Sequence, residues 1–192
     1  MLLNKILRRY YQGLRISIFK RLGTATKING IVTQNQPLIM NGAGEIYFGN
    51  NVIIGYNPSP KFYDTIAYLE VRNVGARINI GDNVIINNAA SIICDRTEIN
   101  IGRNVLIGIG VSIIDSDFHE IHPNSRQGGN HVCAPVNIED NVFIGNDVTI
   151  LKGVHIGKNS VVASASVVTK SFPENVIIAG NPAKIIKTIA YE

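Results

Sequence analysis

Carboxylates are missing from the first 44 residues of this 192-residue chain: Glu45 is the first acid, whereas Lys5, Arg8, Arg9, Arg15, Lys20, Arg21 and Lys27 precede it. The net charge of +4 is therefore a property of the beginning, because the remaining 11 basic residues face 14 acidic ones. No basic stretch is interleaved with aromatics in the manner of a nucleic-acid module, so a nucleic-acid partner is not expected. Cysteine is scarce as well. Cys94 and Cys133 are too few and too far apart for a disulfide framework or a paired-cysteine zinc site, and no chemistry is expected of either. No apolar run is long enough to cross a bilayer, and the N-terminus lacks a clear signal h-region with a small-residue cleavage site. A cytoplasmic location follows as the expectation, with membrane-peripheral contact left open by the basic start.

That start has a period. Leu3, Leu7, Tyr10, Leu14, Ile18 and Leu22 recur at three- and four-residue steps, which predicts an amphipathic helix over residues 1–25. A basic amphipathic helix is able to rest on an anionic membrane surface. The favoured expectation is instead that its apolar face packs on the body or on a partner subunit, leaving its cations solvated.

The body, residues 26–172, has a different period. Ile138, Ile144, Ile150, Ile156, Val162 and Val168 return every sixth position, and Val142, Val148, Val154, Ser160, Ser166 and Phe172 follow each by four. Neither a helix period of about 3.6 nor a strand period of 2 gives a strict six. A coil with flat sides and tight corners does, each hexad supplying one short strand and one corner, with successive coils paired in parallel. The intervening "EDN", "GND", "LKG" and "GKN" are corner residues. Upstream, Ile101, Ile107 and Ile113, then Ile80, Ile86 and Ile92, then Phe48 and Ile54, keep the same register. The extra spacing between Ile92 and Ile101 predicts a corner bulge in "CDRTEI". Two interruptions are larger, one over about 56–78 and one over about 115–136, the second containing "DSDFHEIHP". A long irregular connection in a compact repeat usually has a task. Residues 173–192 are expected to form a C-terminal tail.

The stretch "PVNIEDNVFIGNDVTILKGVHIGKNSVVASASVVTKSFPENVIIAGNPAKIIK" resembles the hexapeptide-repeat acyltransferases, in particular their galactoside and maltose O-acetyltransferase branch. The resemblance spans roughly residues 78–187 and rests on the hexads, "SVVTK" and "AGNPA" occurring together in order. It implies an all-β fold, a left-handed parallel β-helix with the N-terminal amphipathic helix and a long excursion loop appended. It also implies a homotrimer with the acetyl-CoA site between neighbouring subunits, and no metal.

The same resemblance places the catalytic base at His119. Attack of a hydroxyl on a thioester needs the hydroxyl proton removed, and imidazole has a pKa close to the working pH. Asp117 or Glu120 is then a candidate to orient its ring. Asn88, His122 and Arg126 are the candidates for acceptor binding, an amide suiting a hydroxyl-rich ligand. For the coenzyme, the matching positions are Phe143, Asn146, Ser164, Thr169, Lys170, Lys184 and Lys187. Asn146 is a donor candidate near the thioester carbonyl, and the lysines are phosphate partners. Phe143 stands where the family often has tryptophan, and Ser164 where it has alanine.

The function expected on this basis is acetyl transfer from acetyl-CoA to a sugar hydroxyl or glycan, in cell-surface polysaccharide or lipopolysaccharide biosynthesis. A non-sugar acceptor such as serine or an antibiotic, and a noncatalytic assembly module, are the alternatives. A carbonic anhydrase on the same scaffold needs three zinc-binding histidines. No histidine precedes His119, and His131 and His155 are not spaced to replace one.

Overall fold

The computed structural model describes residues 2–190. Its body is a three-sided prism. The first face is a sheet of strands Lys27–Asn29, Glu45–Phe48, Arg77–Ile80, Glu98–Ile101, Val136–Ile138 and His155–Ile156. The second carries Val32–Gln34, Val52–Ile54, Ile85–Ile86, Leu106–Ile107, Phe143–Ile144, Val161–Val162, Val176–Gly180 and Ala183–Thr188. The third carries Leu38–Gly42, Ala67–Val71, Ser91–Cys94, Ser112–Ile114, Thr149–Ile150 and Val167–Val168. The chain visits the faces in that order, coil after coil, as a left-handed parallel β-helix.

The hexads explain the stacking. On the first face Ile80, Ile101, Ile138 and Ile156 lie in register; on the second, Ile86, Ile107, Ile144, Val162 and Ile178; on the third, Ile92, Ile113, Ile150 and Val168. All of them are buried. Each contributes about 1.5–3 kcal/mol of apolar burial. Where the secondary position is Ser160 or Ser166, also fully buried, the hydroxyl is satisfied. Ser160 Oγ donates to the Pro173 carbonyl and accepts from Val176 N, and Ser166 Oγ donates to the Ala163 carbonyl and accepts from Gly180 N.

At the corner between the first and second faces, Asn51, Asn83, Asn104, Asn141, Asn159 and Asn175 all adopt φ of 56–60°. Asparagine tolerates that left-handed region. Their amides also form a ladder: Asn51 donates to Asn83 and Asn83 to Asn104, while Asn141 donates to Asn159 and Asn159 to Asn175.

Three elements differ from the expectations. The first interruption is shorter than 56–78, because Ala67–Val71 is already a strand of the third face and Arg77–Ile80 opens the next coil. Residues 173–192 do not trail away in their described part: Val176–Gly180 joins the second face and Ala183–Thr188 folds back against it, antiparallel. The helix, α1 (Leu2–Leu22), does not lay its apolar face on the body, which leaves that face to the other expectation, a partner subunit. Leu3, Leu7, Tyr10, Leu14, Ile18 and Leu22 are all exposed, by 46–76%. Its contact with the body combines half-buried Ile16 and Phe19 with polar side chains that make the hydrogen bonds. Gln12, only 6% exposed, donates to the carbonyls of Asn35 and Phe62, and Arg15 donates to those of Phe62 and Thr65. The cause lies in the excursion at about 55–66, which leaves the strand ladders and so presents carbonyls needing donors. No helix among the described residues is long and apolar enough to cross a membrane.

Candidate active site

The long loop opens at the corner between the third and first faces, and a buried carboxylate organises that corner. Asp115, fully buried, accepts from the backbone amides of Asp95, Arg96 and Thr97 and from the Thr97 hydroxyl. This is the bulge expected in "CDRTEI". The two ends of the loop then pair: Asp117 N donates to the Val132 carbonyl, Ala134 N to the Asp115 carbonyl, and Ser116 bridges Cys133. Its acids are thus spoken for. Asp117 pairs with Lys152 Nζ at 2.8 Å, and Glu120 accepts from Asn130 N. Neither acid orients His119.

His119 is oriented by a main-chain group. Its Nδ1 lies 3.0 Å from the carbonyl of Arg126. A carbonyl only accepts, so the hydrogen bond requires the proton on Nδ1, which leaves the Nε2 lone pair free. The preceding residue is strained. Phe118 has φ +59°, uncommon for a bulky side chain, and is held there by its amide donating to Ser116 Oγ and by the Arg72 guanidinium 4.8 Å over its ring. Such strain persists where surrounding contacts over-determine it.

The acceptor candidates fare differently. Asn88 is corrected: it is fully buried, its Oδ1 accepting from Tyr56 N and its Nδ2 donating to the carbonyls of Tyr56 and Pro60, so it clamps the first excursion and offers nothing to a ligand. His122 caps the short 3-10 turn Pro123–Ser125, its Nδ1 accepting from Asn124 N. Arg126 contributes its carbonyl to His119, and its side chain stays exposed.

The coenzyme candidates divide into two groups. Phe143, 47% exposed, lies on the outer side of the second face, and Asn146 and Ser164 sit exposed at the corner from the second to the third. Lys184 and Lys187 are exposed on the strand that closes the second face. Thr169 and Lys170 follow Val167–Val168 and sit at the other corner, towards the first face, with Lys170 Nζ 5.8 Å over the Phe172 ring. Of the two donors Asn146 offers, the main-chain one is already used, since Asn146 N donates to Ser164 Oγ at 3.1 Å. Its Oδ1 accepts from Ile109 N, which leaves Nδ2 as its remaining donor. Here the departure from alanine at 164 has a direct structural effect.

One cluster was not read from the sequence. Asp95, 2% exposed, accepts from His131 Nε2 at 2.6 Å and from Cys133, with Arg72 at 3.7 Å and Arg96 at 3.4 Å. Burial alone would raise the Asp95 carboxyl, but the hydrogen bonds from His131 and Cys133 and the nearby cations outweigh it and hold the group below its ordinary range. The ligand-type atoms of Asp95, His131 and Cys133 lie within 4.8 Å of one another. Two guanidiniums on the same carboxylate make this a hydrogen-bonded hub under the loop, since a divalent cation there would face like charge. Arg96 extends it by donating to the Gly129 carbonyl. The available signal was the spacing of His131 and Cys133, two residues apart and hence on one side of an extended strand. His155 points elsewhere, pairing with Glu139 on the first face. The thiols are poor nucleophiles: burial, then the Asp115 charge, pushes Cys94 up to about 12, and burial also raises Cys133.

Residues 135–170 match the bacterial transferase hexapeptide (six repeats) family. Galactoside O-acetyltransferase of Escherichia coli is 41% identical over 116 residues, 60% of this chain and 56% of that protein. The chain thus spans little more than half the length of the curated relatives it matches. Among solved structures, a galactoside acetyltransferase in complex with coenzyme A matches with a TM-score of 0.56 at 26% identity, over 98% of this chain and 80% of that one. A hexapeptide-repeat acetyltransferase of Vibrio cholerae complexed with acetyl coenzyme A matches with a TM-score of 0.57 at 25% identity, over 93% and 78%.

Proposed function

We propose that the chain transfers the acetyl group of acetyl-CoA to a sugar hydroxyl, with His119 as general base. The observation that carries this is the Nδ1 hydrogen bond to the Arg126 carbonyl, which fixes the tautomer a base requires. Nε2 takes the acceptor hydroxyl's proton as the oxygen attacks the thioester carbonyl. The C–S bond then breaks, and the imidazolium returns the proton to the departing thiolate. No covalent enzyme intermediate is needed, and neither high-pKa thiol is suited to form one.

The coenzyme is assigned to the two exposed groups together: Phe143, Asn146, Ser164, Lys184 and Lys187 on one side, Thr169 and Lys170 on the other. Within one chain these lie at different corners of the prism, and His119 belongs with the second group. A cleft containing both needs two copies side by side, which is why we read the molecule as a homotrimer closed by cyclic symmetry. Outward-facing Leu106 and Phe143, 46% and 47% exposed and adjacent in register, supply an apolar surface for that contact. With acetyl-CoA as donor, the reading puts the reaction in the cytoplasm, in the building of a cell-surface glycan. The E. coli relative's name, a galactoside O-acetyltransferase, supports a sugar acceptor.

The test is an acceptor screen: purified chain, acetyl-CoA and a panel of sugars, sugar nucleotides, serine and aminoglycosides, read by free-thiol release and by product mass. Acceptor-dependent release with sugars is expected. Release with serine or aminoglycosides alone would transfer the reading to a non-sugar acceptor, and none at all would leave an assembly module.

A further inference from the structure

The polar docking of α1 leaves a groove of about 790 Å³ between the N-terminal half of the helix and the second face. That volume is within the roughly 300–1,000 Å³ of small-molecule sites. Its helix wall carries Lys5, Arg8 and Arg9, and no carboxylate lines it anywhere. Among the described residues none of the three cations has an ion-pair partner. Like charges gathered on one wall repel one another, and positive charge near a helix N-terminus is disfavoured by the dipole. An anion in the groove relieves both.

Other lining groups narrow the chemistry. Gln34 also lines it, but its Oε1 is fully buried and so out of a ligand's reach. Tyr56 and Tyr63 present rings at the excursion wall, and Ile53 and Ile85 form the floor. Flat faces of this kind suit the apolar side of a sugar or similar ring. The groove itself is rigidly built, since Gln12 and Arg15 tie the helix to the excursion through three hydrogen bonds to the carbonyls of Phe62 and Thr65, with a fourth to that of Asn35.

We propose that this groove is a binding site for a phosphate ester of the sugar-phosphate class, with Lys5, Arg8 and Arg9 on the phosphate and Tyr56 and Tyr63 beside its organic part. Lysine and arginine form charge-assisted hydrogen bonds with phosphate oxygens, and three cations match a dianionic ester. The site is separate from His119 and does not depend on its role. The same chemistry is presented by a soluble sugar phosphate and by a phosphorylated lipid headgroup, the latter suggested by the exposed apolar face on the other side of the helix.

The experiment uses the full chain and two probes, glucose 1-phosphate in calorimetry and phosphatidylglycerol–phosphatidylcholine vesicles in sedimentation. Lys5→Ala/Arg8→Ala/Arg9→Ala is compared with Lys20→Ala/Arg21→Ala, which removes charge from the same helix outside the groove. All five side chains are exposed, so both variants should fold, as thermal unfolding will verify. Glucose 1-phosphate should saturate one site per chain and weaken about tenfold or more in the triple variant only. Vesicle binding that is lost in the triple variant alone and competed by glucose 1-phosphate would identify the headgroup as a source. Three outcomes overturn the proposal: no saturable binding of either probe, equal loss in both variants, or a change of assembly mass in the triple variant, which would mean that a second copy fills the groove.

Discussion

In the proposed mechanism the His119 nitrogen that takes no proton makes the decisive hydrogen bond, because the bond from Nδ1 to the Arg126 carbonyl sets the tautomer of Nε2. The histidine was legible in the sequence only as a candidate, part of "DSDFHEIHP". Its partner was not, since a backbone carbonyl seven residues on has no side-chain signature. Asn88 failed for a related reason: a corner asparagine looks the same whether it faces a ligand or clamps an excursion, and burial decides. Asp115 has the clearest energetic role. Asp115→Ala strips three amides and a hydroxyl of their acceptor and should lower stability by about 3 kcal/mol or more, read as the denaturation midpoint. Ser164→Ala releases the amide of Asn146, so turnover should equal or exceed that of the parent chain. A tenfold fall would show that the hydroxyl itself serves the reaction.

Among elements, the repeat was readable because a period of six leaves little choice of backbone, and the residues at that period are the ones stacked inside. The docking of α1 was not readable. Periodicity identifies an apolar face but not which surface meets it, and here carbonyls freed by the excursion recruited the polar face instead. Deleting residues 2–22 should therefore leave the β-helix folded, with its strand signature in circular dichroism retained; loss of cooperative unfolding would show that the helix nucleates the coils. The loop base carries a pH dependence. Asp95 has a folded-state pKa below its unfolded value of about 3.9. Its contribution is thus present above about pH 4 and lost as pH falls through the folded-state value. Asp95→Asn should lower the unfolding temperature at neutral pH and flatten its decline below about pH 4. A mutant curve parallel to that of the parent chain would remove Asp95 from this role.

For the whole molecule, the proposed division of the site between two corners would make assembly part of the chemistry. Sedimentation should give about three times the 20.9 kDa chain mass, and a monomer at micromolar concentration would separate His119 from Asn146 for good. The measurement that bears most directly on the proposed mechanism is His119→Ala on an acceptor found in the screen, with turnover followed by thiol release and acetyl-CoA binding by calorimetry. Turnover should fall by about a hundredfold to ten-thousandfold, the usual contribution of a positioned general base, while coenzyme affinity stays within about twofold. His122→Ala, which only loosens a turn, should retain most of its turnover. Near-normal turnover in His119→Ala would contradict the assignment of the base.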